Sequence, residues 1–482
     1  PVMPYRAPIM SEARSPAAGP FDSLNPAQRA AVEHGGEALR AGARPGPLLV
    51  IAGAGSGKTR TLTARVARLI LDGADPRRVL LLTFTRRAAL EMTRRARALV
   101  AEAVGGAAAG AGAELPWSGT FHASGQRLLR LHAHELGLSP DFTVLDRSDA
   151  EDLLDMVREE GGHAARTRKR FPRKGACLAI YSVAVNARLP LADVLDGRFP
   201  QYHEFADELK ALFADYVEAK QARDLLDYDD LLLYWARALQ EPSVAAGMRA
   251  RFDHVLVDEY QDTNAVQEDI LLGLAPDGSG LTAVGDDAQS IYGFRAATVE
   301  NILRFPERFA PPARVVTLEE SYRATQPLLA AANAVIAGAR RRHAKELFSR
   351  RGGGERPALV TLADEGAQVE HVADAVLARR EEGVELHRQA VLMRAGWHSG
   401  QLEIELNRRG IPFVKYGGLR FLEAAHVKDA LAVLRWAENP RDSVAAFRVL
   451  QILPGIGPGY ARRALAAVDE AGAPAAGLRA FK

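Results

Sequence analysis

Four short apolar runs set the frame of the chain. PLLVIAG (47–53), RVLLLTFT (78–85), FDHVLVDE (252–259) and GLTAVGD (280–286) each end in small or polar residues. Runs that are apolar throughout, rather than alternating, predict strands buried on both faces. Between the first two lies GKTRTLTARVARLILDG (57–73), where Leu62, Val66 and Leu69 share one helical face and Gly73 supplies a stop. This alternation predicts an α/β fold with a parallel sheet covered by helices on both sides. Ligands of such sheets lie beyond the carboxyl ends of the strands, where the polar tails of the four runs would gather.

From about 136 to 225 the pattern turns helical and charged, without a strand signal, and sheet-like runs resume at 252. The segment therefore reads as a helical insertion. After 312 a second alternating set begins with RVVTL, ALVTLA, AVLMRA and PFVKYG, which predicts a second α/β unit. The Gly/Ala-rich stretch 103–116 reads as a surface excursion.

Composition narrows the class only a little. Hydrophobic content of 48% and charged content of 25% are ordinary for a globular protein. A single cysteine, Cys177, excludes a disulfide framework and a multi-cysteine zinc site, and it fits a reducing compartment. No apolar run approaches the roughly 18 residues of a membrane span, so the expected location is cytoplasmic, with no membrane partner. A net charge of +2 gives no global argument for nucleic acid. Basic residues do cluster, in 85–97, 166–174 and 340–351; such runs inform only if other motifs align them.

The chemistry begins at AGAGSGKT (52–59). In the phosphate-loop pattern G-x-x-x-x-G-K-[ST], Gly57, Lys58 and Thr59 match and Ala52 replaces the first glycine. The loop would present backbone N–H groups to the phosphates, which makes Ala52, Gly53, Ala54, Gly55, Ser56, Gly57, Lys58, Thr59 and Arg60 the candidate nucleotide-binding residues. Lys58 would reach the β and γ phosphates, and Thr59 would ligate Mg²⁺. A hydrolase also needs a metal-binding carboxylate and a group that activates water. The strand end at Asp258–Glu259 offers both, Asp258 for the metal and Glu259 for the water. Then LTAVGDDAQSIYGFRAA (281–297) places Gln289, a γ-phosphate sensor, close to Tyr292, Phe294 and Arg295. Flat aromatic faces of this kind stack single-stranded bases without regard to sequence.

With these residues in view, the chain resembles the UvrD/Rep-type superfamily 1 DNA helicases, from about residue 23 onward. LNPAQRAAV (24–32) is similar to the family's Q motif, which implies that Gln28 reads adenine. LLTFTRRAALEM (81–92) resembles motif Ia, with Phe84 and Thr85 at DNA-contacting positions, and GTFHASGQRLLR (119–130) resembles motif Ib, with Thr120 and His122. VDEYQDTN is motif II, and VGDDAQSIYGFRAA is motif III with Phe294 in place of the usual tryptophan. LEESYRAT (318–325) resembles motif IV, which implies that Tyr322 packs on adenine and Arg323 reaches the γ-phosphate from the second unit. LPGIGPGYARRALAAV (453–468) resembles the Gly-Ile-Gly segment that touches duplex DNA, with Gly455 and Gly457 in the turn.

The resemblance implies two RecA-like domains, each with a helical insertion. The expected boundaries are 1–135 with 226–316, the insertion 136–225, then 317–424, and a second insertion from 425 to 482. It also implies ATP and Mg²⁺ as cofactors and single-stranded DNA and single/double-strand junctions as partners. The implied activity is 3′→5′ translocation and unwinding in repair or replication, at the bacterial nucleoid. A helicase–nuclease motor subunit would share every one of these motifs. Nothing after 440 resembles the family's motifs V and VI, so the chain reads as an excerpt, expected to hydrolyse ATP feebly or not at all on its own. LDYDDLLLY (226–234), with Asp227, Asp229 and Asp230, reads as an acidic helix N-terminus in preference to a metal site.

Overall fold

A computed structural model describes residues 19, 21–104, 114–163, 171–416, 425–453 and 455–471. Most of the Gly/Ala-rich stretch, part of the basic run 166–174 and the segment 417–424 lie outside these residues. The chain forms two compact units, Pro1–Glu355 and Arg356–Lys482.

In the first unit the apolar runs do form strands, and WSGT (117–120), which the pattern does not mark, adds one more. They are β1 (Leu48–Ala52), β2 (Val79–Thr83), β3 (Trp117–Thr120), β6 (His254–Val257), β7 (Leu281–Gly285) and β8 (Arg314–Leu318), in the order β3-β2-β6-β7-β1-β8. All neighbours pair in parallel, with Leu48 opposite Thr282 and Arg314, and Leu80 opposite Trp117 and Val255. Every residue of β1, β2, β6 and β7 is buried, as continuous apolar runs require. RVVTL, expected to open a second unit, is instead the outer strand of this sheet, bonded along β1.

The two faces of the sheet are filled separately. Leu48, Val50, Leu81 and Leu256 point to one core with Leu62, Val66 and Met92; Leu49, Leu80, Val255 and Val257 point to the other with Trp235, Phe252 and Ile270. Helix Lys58–Leu71 turns its Leu62, Val66 and Leu69 face inward, as its spacing predicts.

The insertion leaves and returns through a two-stranded parallel ribbon, β4 (Thr143–Val144) with β5 (Leu225–Leu226). Between them stand helices Arg147–Glu160, Lys174–Ala187, Leu191–Arg198 and Ala206–Ala222. On return, Asp227 caps helix Tyr228–Ala238 in a reciprocal box with Asp230. Buried Lys220 donates to both acids, at 2.6 Å to Asp227 and 2.5 Å to Asp230. Tyr216 adds its hydroxyl to Asp227 at 2.8 Å. Asp227 and Asp230 are thus a helix start and an ion-pair network, while Asp229 in the same first turn accepts from Ser182 and Asn186.

The second unit holds helices Glu365–Glu381, Ser399–Arg408, Ala425–Glu438, Ser443–Ile452 and Pro458–Ala471; Ala373, Leu402, Leu406 and Ile411 form a small core between the first two. ALVTLA, AVLMRA and PFVKYG, read as strands from sequence, form no ladder among the described residues. Their Leu359, Leu392 and Val414 are exposed. An apolar run sets a preference for extended backbone, but a strand exists only where a neighbour accepts its hydrogen bonds. No single described helix is long and apolar enough to cross a membrane.

Candidate functional site

The loop after β1 turns through two left-handed residues, Gly55 at φ 78° and Gly57 at φ 86°. Side chains there would be strained, which is why this loop is built on glycine. A Cβ on Gly57 would also meet Gln28 Nε2 at 2.7 Å. Ala52 ends β1 in ordinary extended backbone, so its replacement of the motif's glycine costs no strain. Ser56 donates its hydroxyl to the Gly53 carbonyl at 2.7 Å, and Gln28 donates Nε2 to the Ser56 carbonyl at 2.9 Å. Gln28 also accepts the Asn25 N–H at 3.1 Å and is fully buried. The residue expected at adenine therefore ties helix Pro26–Val32 to the phosphate loop through its amide nitrogen, while its oxygen closes the helix start at Asn25. Ala54 and Arg60 are exposed, and Arg60 is bonded to Ser23.

The segment after β8 lies against the same loop. Ser321 donates its hydroxyl to the Ala54 carbonyl at 3.1 Å, and the Tyr322 N–H reaches the Gly55 carbonyl at 2.9 Å. A Cβ on Gly55 would meet Arg323 Cβ at 2.5 Å. The Tyr322 hydroxyl accepts from Asn25 at 2.9 Å and donates to Glu320 at 3.1 Å. Tyr322 and Arg323 thus stand against the phosphate loop, within the first compact unit.

Two strands away, β6 ends at Asp258, which is buried with its Oδ1 lacking any hydrogen-bond partner. Burial, then the adjoining Glu259 charge, push its pKa up to about 7, with Lys58 pulling the other way. Glu259 adopts φ 51°, a left-handed backbone rare for a residue with a side chain. That turn brings its Oε2 to 3.1 Å from Lys58 Nζ and 2.9 Å from Gln261 Nε2. After β7, Gln289 donates to Asp286 Oδ2 at 2.6 Å. The other oxygen of Asp286 is 2.7 Å from Lys345, which also pairs with Asp287. Lys345 comes from the basic run 340–351 and is almost fully buried, a contact the sequence reading missed.

The same loop then emerges at the surface. Phe84 and Tyr292 rings lie 4.8 Å apart, and Tyr292 and Phe294 lie 5.8 Å apart. The Arg295 guanidinium stands 5.5–5.8 Å from all three rings. Phe294 is 69% exposed, so its ring face is open to a ligand. Beside them, His122 meets Tyr228 edge to face at 5.4 Å, and burial together with Arg295 lowers the imidazole pKa to about 4, leaving it neutral. Tyr228 was hidden in the sequence by the acids on either side of it. Thr85 and Thr120 spend their hydroxyls on the backbone N–H groups of Ala88 and Ala123, starting the helices that carry their motifs. In the second unit, Gly455 takes φ 85°, and the Gly457 carbonyl begins helix Pro458–Ala471 by accepting from Ala461 at 2.9 Å.

A phosphate loop, a strand-end acid pair and a polar third loop at the carboxyl edge of one parallel sheet define a RecA-like P-loop nucleotide-binding fold. The UvrD/REP helicase N-terminal domain matches residues 24–310, and the UvrD-like helicase C-terminal domain matches 316–469. The chain belongs to the UvrD/REP helicase family. It is 38% identical over 449 residues to "ATP-dependent DNA helicase UvrD1" of Mycobacterium tuberculosis, covering 90% of this chain and 55% of that protein. It is 35% identical over 436 residues to "DNA helicase II" of Escherichia coli K12, covering 89% and 56%. With "ATP-dependent DNA helicase PcrA" of Staphylococcus aureus the identity is 34% over 418 residues, covering 86% and 55%. The chain thus spans about half the length of the curated relatives it matches.

Proposed function

We propose that this chain carries the ATP- and DNA-binding machinery of an ATP-dependent DNA helicase, moving 3′→5′ on single-stranded DNA and opening duplex at its junctions. One observation carries the reading. The loop 286–295 begins at Asp286 and Gln289, beside the acids of the phosphate site, and ends at the surface in the half-buried Tyr292 and the exposed Phe294 and Arg295. A change at the γ-phosphate would need to pass through only a few residues of backbone to reach a stacked base.

At the phosphate site Lys58 would exchange Glu259 for the β and γ phosphates. Glu259, already turned inward by its left-handed backbone, would orient the attacking water and take its proton. Arg323 and Tyr322, anchored on the phosphate loop, would border the nucleotide. The unpartnered Oδ1 of Asp258 and the Thr59 hydroxyl suit Mg²⁺. That ion supplies neutralisation of phosphate charge.

Single-stranded DNA binding tests the reading. The double variant Tyr292→Ala/Phe294→Ala should bind a fluorescent oligonucleotide at least about 5- to 150-fold more weakly, the worth of one lost stacking contact. Because no phosphate contact is removed, the slope of log affinity against log salt should stay the same. An unchanged affinity would remove the stacking platform from the proposal.

A further inference from the structure

Gln261 lies between the acid pair and the third loop, and the role proposed above gives it no part. It is 1% exposed. Its side-chain oxygen accepts the backbone N–H of Asp286 at 2.9 Å, and its side-chain nitrogen donates to Glu259 Oε2 at 2.9 Å, with Asp262 Oδ2 further off at 3.4 Å. The amide can stand only one way round. A backbone N–H on one side demands the oxygen, and a carboxylate on the other demands the NH₂.

The surroundings are shaped to this contact. A Cβ on Gly285 would meet Gln261 Oε1 at 2.6 Å, so glycine at the end of β7 is what lets the amide reach Asp286. The Gln261 carbonyl also accepts the Ser290 hydroxyl at 3.1 Å, on the far side of Gln289. Asp286, whose N–H Gln261 holds, accepts from the Gln289 amide with its own carboxylate. A continuous set of hydrogen bonds therefore runs Glu259–Gln261–Asp286–Gln289.

Resting on the proposed ATPase role of this site, we infer that Gln261 is a positioning residue that aims Glu259 at its water and ties that aim to the placement of Gln289. Its two contacts can be separated by substitution. Gln261→Glu keeps an oxygen for the Asp286 N–H but sets a carboxylate against Glu259, turning a donor into a repulsion. Gln261→Leu loses both contacts.

The test is single-turnover ATP hydrolysis with the chain in excess, beside the affinity for a slowly hydrolysed ATP analogue. Both variants should hydrolyse at least about 10-fold more slowly, short of the roughly 10²- to 10⁴-fold that a general base contributes because the base is misaimed and not removed. Analogue affinity should stay within about threefold, a split between rate and binding that simple unfolding would not give. Gln261→Glu, although nearly isosteric, should be no faster than Gln261→Leu. If Gln261→Glu keeps the parent rate, Gln261 only anchors the Asp286 backbone and the inference is wrong. Equal losses in affinity and rate would also overturn it. A Lys58→Ala chain run in parallel separates the two levels: a parent that neither outpaces that control nor binds the analogue loses the ATPase role and the inference with it, whereas a parent that binds the analogue but hydrolyses no faster than the control overturns the inference alone.

Discussion

Replacing Glu259 by glutamine is expected to slow single-turnover ATP hydrolysis by about 10²- to 10⁴-fold, the range that a positioned general base contributes. The geometry supports a loss in the chemical step. Glu259 accepts hydrogen bonds from Lys58 and Gln261 through one oxygen, Oε2, while its backbone is held in a left-handed turn directly after the buried strand β6. Glutamine fits the same space, but its neutral amide is a far weaker base. Strain of this kind persists only where the surrounding structure enforces it, and it concentrates at functional positions. A Glu259→Gln chain that hydrolyses at the parent rate would place the base elsewhere, with Asp262 the nearest remaining acid beside Gln261.

The second large effect is on folding. Lys220→Met should destabilise the first unit by about 3–5 kcal/mol, the cost of leaving buried charge uncompensated. Lys220 is the cation shared by Asp227 and Asp230, and all three side chains are almost wholly buried. Asp227 and Asp230 also form the box that starts helix Tyr228–Ala238. On the same helix Asp229 accepts from Asn186 at 2.6 Å, and Asn186 accepts from Asn264 at 2.9 Å, three residues after Gln261. Losing Lys220 therefore loosens the seat of the insertion on the ATP-binding core. Urea unfolding followed by circular dichroism reads the change. Adding Asp227→Asn and Asp230→Asn to Lys220→Met should recover part of the loss, because the stranded charges are then gone.

Much of the candidate site was legible because its signals are local. Glycines at 55 and 57 announce a left-handed loop, and apolar runs that stop at acids announce strand ends pointing at a ligand. Pairings across long stretches of chain were not legible. Lys345 looks like one more charge in a basic run, and nothing near it in sequence announces that it lies buried against Asp287, 58 residues away. The bond from the Gln28 amide to the Ser56 carbonyl, 28 residues away, is likewise announced by nothing near it in sequence. Tyr322 reached the phosphate loop only because β8 pairs with β1, a choice of neighbour that composition does not encode. The same limit explains ALVTLA, AVLMRA and PFVKYG, which carry the propensity of strands without a partner to pair with among the described residues.

The central claim is that nucleotide and single-stranded DNA bind one connected frame, joined by the loop 286–295. The most direct measurement is the affinity for a fluorescent single-stranded oligonucleotide, with and without a saturating, slowly hydrolysed ATP analogue and Mg²⁺. Coupled sites typically differ by about 5-fold or more between the two conditions, and a shift of that size is expected in the parent chain and absent from Lys58→Ala. Oligonucleotide affinity that is the same with and without the analogue, although both bind, would contradict the claim.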